Sequence, residues 1–150
     1  MSGKELYHAA GRGDEGRVSE LLAVDGINVN YKYFGRSPLY RAAERGYPQI
    51  IRLLHQAGAE LEIRTDLGDT PLHLAGVWGR RECAALLMLL GAEINSLNED
   101  NDTPLHLASS GGEADTTKLF IECGGDTEAK NKKGRTPRDE GDNDEIKSLF

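Results

Sequence analysis

The chain has 150 residues, of which 38% are hydrophobic and 29% charged, and its 25 acidic and 18 basic side chains leave a formal charge of −7. A net negative charge disfavours nucleic acid and anionic membrane surfaces as the main partner, because both attract positively charged proteins. The sequence has no apolar run long enough to cross a membrane and no secretory signal at its start. We therefore expect an intracellular protein that is located in the cytoplasm, with the nucleus as an alternative location.

Residues 1–30 form a first unit whose apolar side chains recur at helical spacing. This stretch has one residue more between Leu22 and Gly26 than later units have, and one fewer between Gly26 and Gly35. We therefore expect a capping unit, followed by a turn near Gly35 that differs in shape from the later turns. The apolar residues are Leu6, Ala9, Ala10, Val18, Leu21 and Leu22.

A three-residue signature then recurs at equal intervals, beginning at positions 37, 70, 103 and 136. Its hydroxyl residue can cap a helix and its proline suits the first helical turn, so each copy predicts a helix start. The spacing divides one domain, residues 1–150, into further units 31–63, 64–96, 97–129 and a truncated 130–150. The copies are Ser37-Pro38-Leu39, Thr70-Pro71-Leu72, Thr103-Pro104-Leu105 and the degraded Thr136-Pro137-Arg138.

Two copies extend into a longer motif, Thr70-Pro71-Leu72-His73-Leu74-Ala75 and Thr103-Pro104-Leu105-His106-Leu107-Ala108. This motif and the constant interval between its copies resemble the ankyrin repeat. The resemblance implies an all-α repeat solenoid, in which each repeat has an antiparallel helix pair and a β-turn finger. The repeats would stack into an L shape with a concave groove. Asn101 takes the place of the turn residue Gly68, which predicts a left-handed backbone there.

His73 and His106 are the residues that most resemble metal ligands or general bases. Tyr40 takes the equivalent place in another repeat, which a ligand would not permit. The family resemblance implies instead structural histidines that hydrogen-bond the backbone of a turn. The sequence also has no phosphate-binding loop or other catalytic motif. We expect a non-enzymatic protein with no cofactor and no metal.

Three other polar residues carry smaller expectations. Cys83 and Cys123 lie far apart in the sequence, which fits neither a disulfide framework nor a metal site, so we expect both to be reduced and half-buried. Asn95 ends a sequence that resembles the one many ankyrin repeats present to an asparagine hydroxylase. A hydrogen bond to the finger turn, as at Asn30, is the stronger explanation of this asparagine.

The resemblance also points to candidate binding positions. In the family, partners generally contact the finger residues around the turn glycine and the two residues that close each first helix. Aromatic and arginine side chains are frequent anchors, which singles out Trp78. The aromatic residues of the first finger either bind a partner or support the finger. The candidate groove residues are Tyr33, Phe34, Arg36, Arg45, Asp66, Leu67, Asp69, Val77, Trp78, Glu99, Asp100 and Asp102.

We expect the partner to be another protein, bound by a monomer and oriented by basic, acidic and again basic residues along the groove. Two alternatives stay open. The chain resembles, in size and organisation, the small ankyrin-type inhibitors of cyclin-dependent kinases. It could instead be an architectural segment of a larger scaffold that docks through its convex face, where Ala85 and Leu89 predict an apolar patch able to support weak self-association.

The last two units are expected to be the least stable. Thr116 and Thr117 replace two isoleucines of an earlier unit, which predicts early amide exchange or fraying toward the C terminus. The truncated fifth unit is expected to close the stack with its last apolar residues, Ile146, Leu149 and Phe150.

Overall fold

The computed structural model describes residues 2–150, so Met1, which opens the predicted first unit, lies outside the described residues. Within this range the chain forms nine helices and no extended strand. No helix in residues 2–150 has the length and apolarity needed to cross a membrane. The helices are α1 Ser2–Arg12, α2 Glu15–Leu22, α3 Pro38–Arg45, α4 Pro48–Gln56, α5 Pro71–Val77, α6 Arg81–Leu89, α7 Pro104–Ser110, α8 Ala114–Glu122 and α9 Asp144–Lys147.

The first eight helices stack in two layers. The inner layer consists of α1, α3, α5 and α7, each packed on the next, and the outer layer of α2, α4, α6 and α8 follows the same order. Alanines such as Ala42, Ala75 and Ala108 are fully buried in the inner layer, where their small side chains let neighbouring helices approach closely. The predicted all-α repeat solenoid is confirmed.

The hydroxyl residues of the signature cap the inner helices as predicted. The backbone N–H of Tyr40 donates to Ser37 Oγ at 3.0 Å, and that of His73 donates to Thr70 Oγ1 at 3.4 Å. Each cap is followed by proline at the start of the helix. Because these bonds join residues that are close in the chain, the sequence alone predicts them.

Four fingers connect the repeats: finger 1 (residues 33–36), finger 2 (65–69), finger 3 (98–102) and finger 4 (131–135). In finger 1, Tyr33 and Arg36 exchange two backbone hydrogen bonds of 2.9 and 3.1 Å across a two-residue loop. Fingers 2 to 4 close one residue later, as in the 3.0 Å bond from the Thr65 N–H to the Asp69 carbonyl. The prediction of a differently shaped first finger is therefore confirmed. Asn101 has φ 57°, which confirms its left-handed backbone.

The C-terminal residues cover the end of the stack. Helix α9 packs on α8 and buries Ile146 completely, while Phe150 is half-buried against the core. No α-helix follows the cap at Thr136, since Arg138 stands where other repeats bury a leucine. The prediction that the last apolar residues close the stack is confirmed for these two side chains.

The cysteine prediction is wrong in its degree of burial. Cys83 is fully buried in α6, and Cys123 is exposed at the C-terminal end of α8. Both thiols are free. Burial raises the pKa of Cys83 to about 11, because the thiolate would lose its hydration.

Candidate functional site: a groove of finger tips and inner helix ends

The fingers present one equivalent residue each at their tips. These residues are Phe34, Leu67, Asp100 and Lys133, which are equally spaced along the chain. Phe34 is 83% exposed and Leu67 is 68% exposed. The N-terminal half of the groove therefore has two neighbouring apolar tips, whereas the C-terminal half has an acidic tip and a basic tip.

A cavity of about 160 Å³ opens between the two apolar tips. Two of its lining residues contact each other, with the Arg36 guanidinium carbon 5.4 Å from the centre of the Tyr40 ring. Burial raises the pKa of the Tyr40 hydroxyl, so this ring stays neutral. The cavity combines apolar walls with one cation and two carboxylates. Its lining residues are Phe34, Arg36, Tyr40, Thr65, Asp66, Leu67 and Asp69.

Tyr33 supports finger 1 rather than projecting into the groove. Its ring centre lies 5.2 Å from that of Tyr7 and 4.5 Å from that of Phe34. The Lys4 ammonium lies 4.9 Å from the Tyr33 ring centre. Of the two possibilities left open by the sequence, the structure assigns support to Tyr33 and exposure to Phe34. Sequence reasoning missed the contribution of Tyr7, which belongs to the preceding repeat.

Trp78 ends helix α5 and is 53% exposed. It borders a depression of about 230 Å³ together with Glu44, Arg45 and Arg80. Arg80 was not predicted, because it follows the turn glycine and lies outside the positions that the resemblance marks. Its Nε–H donates to the Glu44 carbonyl at 3.0 Å, which holds the side chain across the end of α3. Val77, a predicted contact residue, is half-buried.

Two predicted groove carboxylates join neighbouring fingers. Asp69 accepts a hydrogen bond of 2.9 Å from the Asn98 side chain, and Asp102 accepts one of 2.8 Å from Asn131. Asp66, Glu99 and Asp100 are exposed, as are Arg36 and Arg45. The groove thus separates into carboxylates that fix the finger spacing and charges that face solvent.

The two motif histidines are structural. The Thr70 N–H donates to His73 Nδ1 at 3.1 Å, so the ring proton is on Nε2, which donates to the Asp102 carbonyl at 2.8 Å. His106 repeats this pattern and contacts the Arg135 carbonyl at 3.0 Å. Desolvation lowers the pKa of His73. With both nitrogens bonded, neither ring is available to a metal. No His, Cys, Asp and Glu cluster in residues 2–150 has the arrangement of a metal site.

Asn95 fastens one repeat to the next. Its Oδ1 accepts the Asp126 N–H at 2.8 Å, and Asn30 does the same for the Glu60 N–H at 3.0 Å. In both cases the backbone N–H that donates lies in the turn after the outer helix of the next repeat. The sequence had suggested a hydrogen bond to the finger turn instead. The hydroxylation of Asn95 stays a prediction.

The convex face carries a smaller apolar patch than the sequence predicted. Leu89 is 77% exposed. Ala85, Met88 and Leu90 are half-buried and pack against the core of the stack. Helix α6 therefore presents one isolated leucine to solvent, and a single exposed leucine is common on monomeric proteins.

The fold and the groove define a class of helical repeat proteins with projecting turns. The family model described as ankyrin repeats (3 copies) matches residues 6–98 and again residues 86–138, and the chain belongs to the ankyrin repeat family. Members of this family are generally protein–protein interaction modules and typically non-catalytic.

The curated relatives include the histone-lysine N-methyltransferase EHMT1 of Mus musculus and of Homo sapiens, each 44% identical over 62 residues. The match covers 39% of this chain and 5% of each relative. Because the similarity is confined to the repeat region, it carries no methyltransferase activity to this chain.

Proposed function

We propose that this chain is a non-enzymatic interaction module that binds a protein partner in its concave groove. One observation carries the proposal, namely that Phe34, Leu67 and Trp78 are 83%, 68% and 53% exposed on finger tips and at an inner helix end. A partner that covers these side chains gains hydrophobic free energy. Half of a tryptophan side chain is on the order of 100 Å², and its removal from water contributes about 2–3 kcal/mol.

The rest of the groove supports the same function. Backbone hydrogen bonds join finger 3 to finger 2 and finger 4 to finger 3, namely the 3.1 Å bond from the Glu99 N–H to the Leu67 carbonyl and the 2.9 Å bond from the Lys132 N–H to the Asp100 carbonyl. A surface held in place in this way loses little conformational freedom on binding, which favours affinity. A standard interface needs roughly 800 Å² on each side, within the reach of four fingers and their helices.

Affinity capture from cell extract followed by mass spectrometry tests the proposal. The native chain is compared with a groove variant, Phe34→Ala with Trp78→Ala, and with the matched convex variant Leu89→Asp. All three must first show the same helical circular dichroism and thermal midpoint. We expect the groove variant to lose a partner that the native chain and the convex variant retain.

A second candidate function is an architectural segment that docks through α6, where Leu89 is the exposed apolar side chain. In that case the convex variant loses the partner and the groove variant keeps it, which would overturn the groove proposal. Sedimentation of the native chain and of Leu89→Asp at high concentration separates docking to another protein from self-association. The intracellular location stays a prediction, which the distribution of a tagged chain in cells would test.

A further inference from the structure

The depression beside Trp78 has an unbalanced charge. Arg45 and Arg80 are both exposed there, and neither takes part in any of the four ion pairs formed within residues 2–150. Within residues 2–150 only Arg17, Arg41 and Arg135 form such pairs. Arg45 and Arg80 stand out because both border the same depression, beside Trp78.

The one carboxylate at the rim does not neutralise these arginines. Glu44 forms an ion pair with Arg41, and both side chains are largely buried between the inner helices. Glu113 lies against Gly79 but forms no ion pair with Arg80. The depression therefore keeps an excess of positive charge beside the exposed indole of Trp78.

The two arginines differ in how they are held. Arg80 is fixed by its bond from Nε to the Glu44 carbonyl, and its two terminal nitrogens make no hydrogen bond among the described residues. Arg45 makes no side-chain hydrogen bond among the described residues, although its place in the last turn of α3 favours a cation. The guanidinium groups of Arg45 and Arg80 can each donate hydrogen bonds to a carboxylate, and Trp78 beside them can pack on an apolar side chain next to that carboxylate.

We infer that Arg45, Trp78 and Arg80 form a subsite for an acidic segment of a partner protein, in which a carboxylate contacts the guanidinium groups and an adjacent apolar side chain covers Trp78. This inference rests on the proposed groove function and adds the chemistry of the partner. The exposed acids Asp66 and Glu99 lie on fingers 2 and 3 and do not line this depression. They disfavour a uniform polyanion such as nucleic acid and favour a segment whose acidic residues are confined to one end.

Selection from a random peptide display library, with the folded native chain as target, tests the inference. We expect the enriched peptides to contain Asp or Glu beside an aromatic or aliphatic residue. Arg45→Glu should weaken the best peptide about tenfold, since a favourable charge contact becomes a repulsive one, and Arg45→Gln should weaken it less. Arg52→Glu is the matched control, because Arg52 is an exposed arginine of the outer helix α4. It should leave the affinity unchanged, and the native interaction should weaken as salt is raised.

The outcomes distinguish this inference from the groove proposal. Peptides that lose affinity for Phe34→Ala or Trp78→Ala but show no acidic preference would overturn the inference and leave the groove proposal standing. Acidic peptides that bind Arg45→Glu as well as the native chain would place acid recognition elsewhere and also overturn it. A selection without enrichment counts against the inference, while the capture experiment still decides the groove proposal. If a single-stranded oligonucleotide competes at physiological salt and Arg45→Glu abolishes the competition, the subsite binds nucleic acid and the inference is wrong.

Discussion

The same isosteric substitution, threonine to valine, is expected to have opposite effects at two positions of the fourth repeat. Thr117 is fully buried in α8, and its Oγ1 has no hydrogen-bond partner. Thr103 is also buried, but its Oγ1 accepts the His106 N–H at 3.3 Å and lies 2.9 Å from His106 Nδ1. Valine has nearly the shape of threonine, so each substitution mainly tests the hydroxyl group.

The magnitudes follow from these two environments. A buried hydroxyl without a partner costs about 1–3 kcal/mol, so Thr117→Val should raise the free energy of unfolding by about 1–2 kcal/mol. Helix propensities of threonine and valine are similar, so the backbone adds little to this difference. Thr103→Val removes a helix cap, which costs about 0.5–2 kcal/mol. For a chain of this length, a change of about 1 kcal/mol moves the thermal midpoint by roughly 2–4 °C.

Urea unfolding followed by circular dichroism measures both changes, with the dependence on denaturant checked for a constant slope. Hydrogen exchange then locates them, because repeat proteins open locally and a stability change need not spread along the stack. Thr117→Val should slow amide exchange in α8, and Thr103→Val should accelerate it in α7. If Thr117→Val lowers stability while Thr103→Val behaves as expected, the Thr117 hydroxyl has a partner and the explanation of a weak fourth repeat is wrong.

Single residues elsewhere in the stack support three more predictions. The pKa of His73 is lower in the folded state than its ordinary value near 6.5, so the folded chain binds fewer protons than the unfolded chain. The contribution of His73 to the free energy of unfolding should therefore be complete above about pH 6.5 and fall as the pH drops below it. In urea unfolding, the free energy of His73→Tyr, which copies Tyr40 of the second repeat, should depend less steeply on pH. An equally steep dependence in this variant would contradict the prediction. Iodoacetamide should alkylate the exposed Cys123 in the native chain at mildly alkaline pH but leave Cys83 unmodified until urea unfolds the protein. Mass spectrometry of the peptides measures both modifications. Modification of Cys83 before unfolding would mean that α6 opens readily. Phe34 has φ 49° in a two-residue turn before Gly35, a conformation that Asn adopts at lower cost. Phe34→Asn should thus gain about 0.5–1 kcal/mol of stability and lose groove binding, and a variant that retains full binding would remove Phe34 from the interface.

The repeat architecture could be predicted because its determinants are local and periodic. Ser37 and Thr70 contact amides three residues ahead, and Asn101 reveals its left-handed backbone by replacing a glycine. The structural role of His73 was likewise visible in the motif, since Tyr40 replaces it. Contacts across repeats were harder to predict, as the support of Tyr33 by Tyr7 depends on how α1 packs beside finger 1.

Side chains outside the repeat pattern limited the prediction of the groove. Arg80 has no equivalent arginine in the neighbouring repeats, where Tyr47 and Glu113 take the corresponding positions. Its contact with the Glu44 carbonyl depends on the spacing between inner helix ends, which the sequence does not specify. Cys123 lies directly after α8, at the position that Ala57 and Leu90 take after α4 and α6. Ala57 is exposed and Leu90 half-buried, so this position does not by itself indicate how far a side chain is buried.

The differences among equivalent positions indicate which residues are available to a partner. The second to fourth repeats use the same positions for caps, buried alanines and turn residues, so these positions vary little and are explained by folding. The tips vary from Phe34 and Leu67 to Asp100 and Lys133, yet the backbone bonds that close each finger do not involve the tip side chain. A scaffold that accepts a carboxylate or an ammonium at this position has no need of an aromatic ring there. The stability of the fold therefore does not require a phenylalanine in this unfavourable backbone conformation, which supports the proposal that Phe34 contacts a partner.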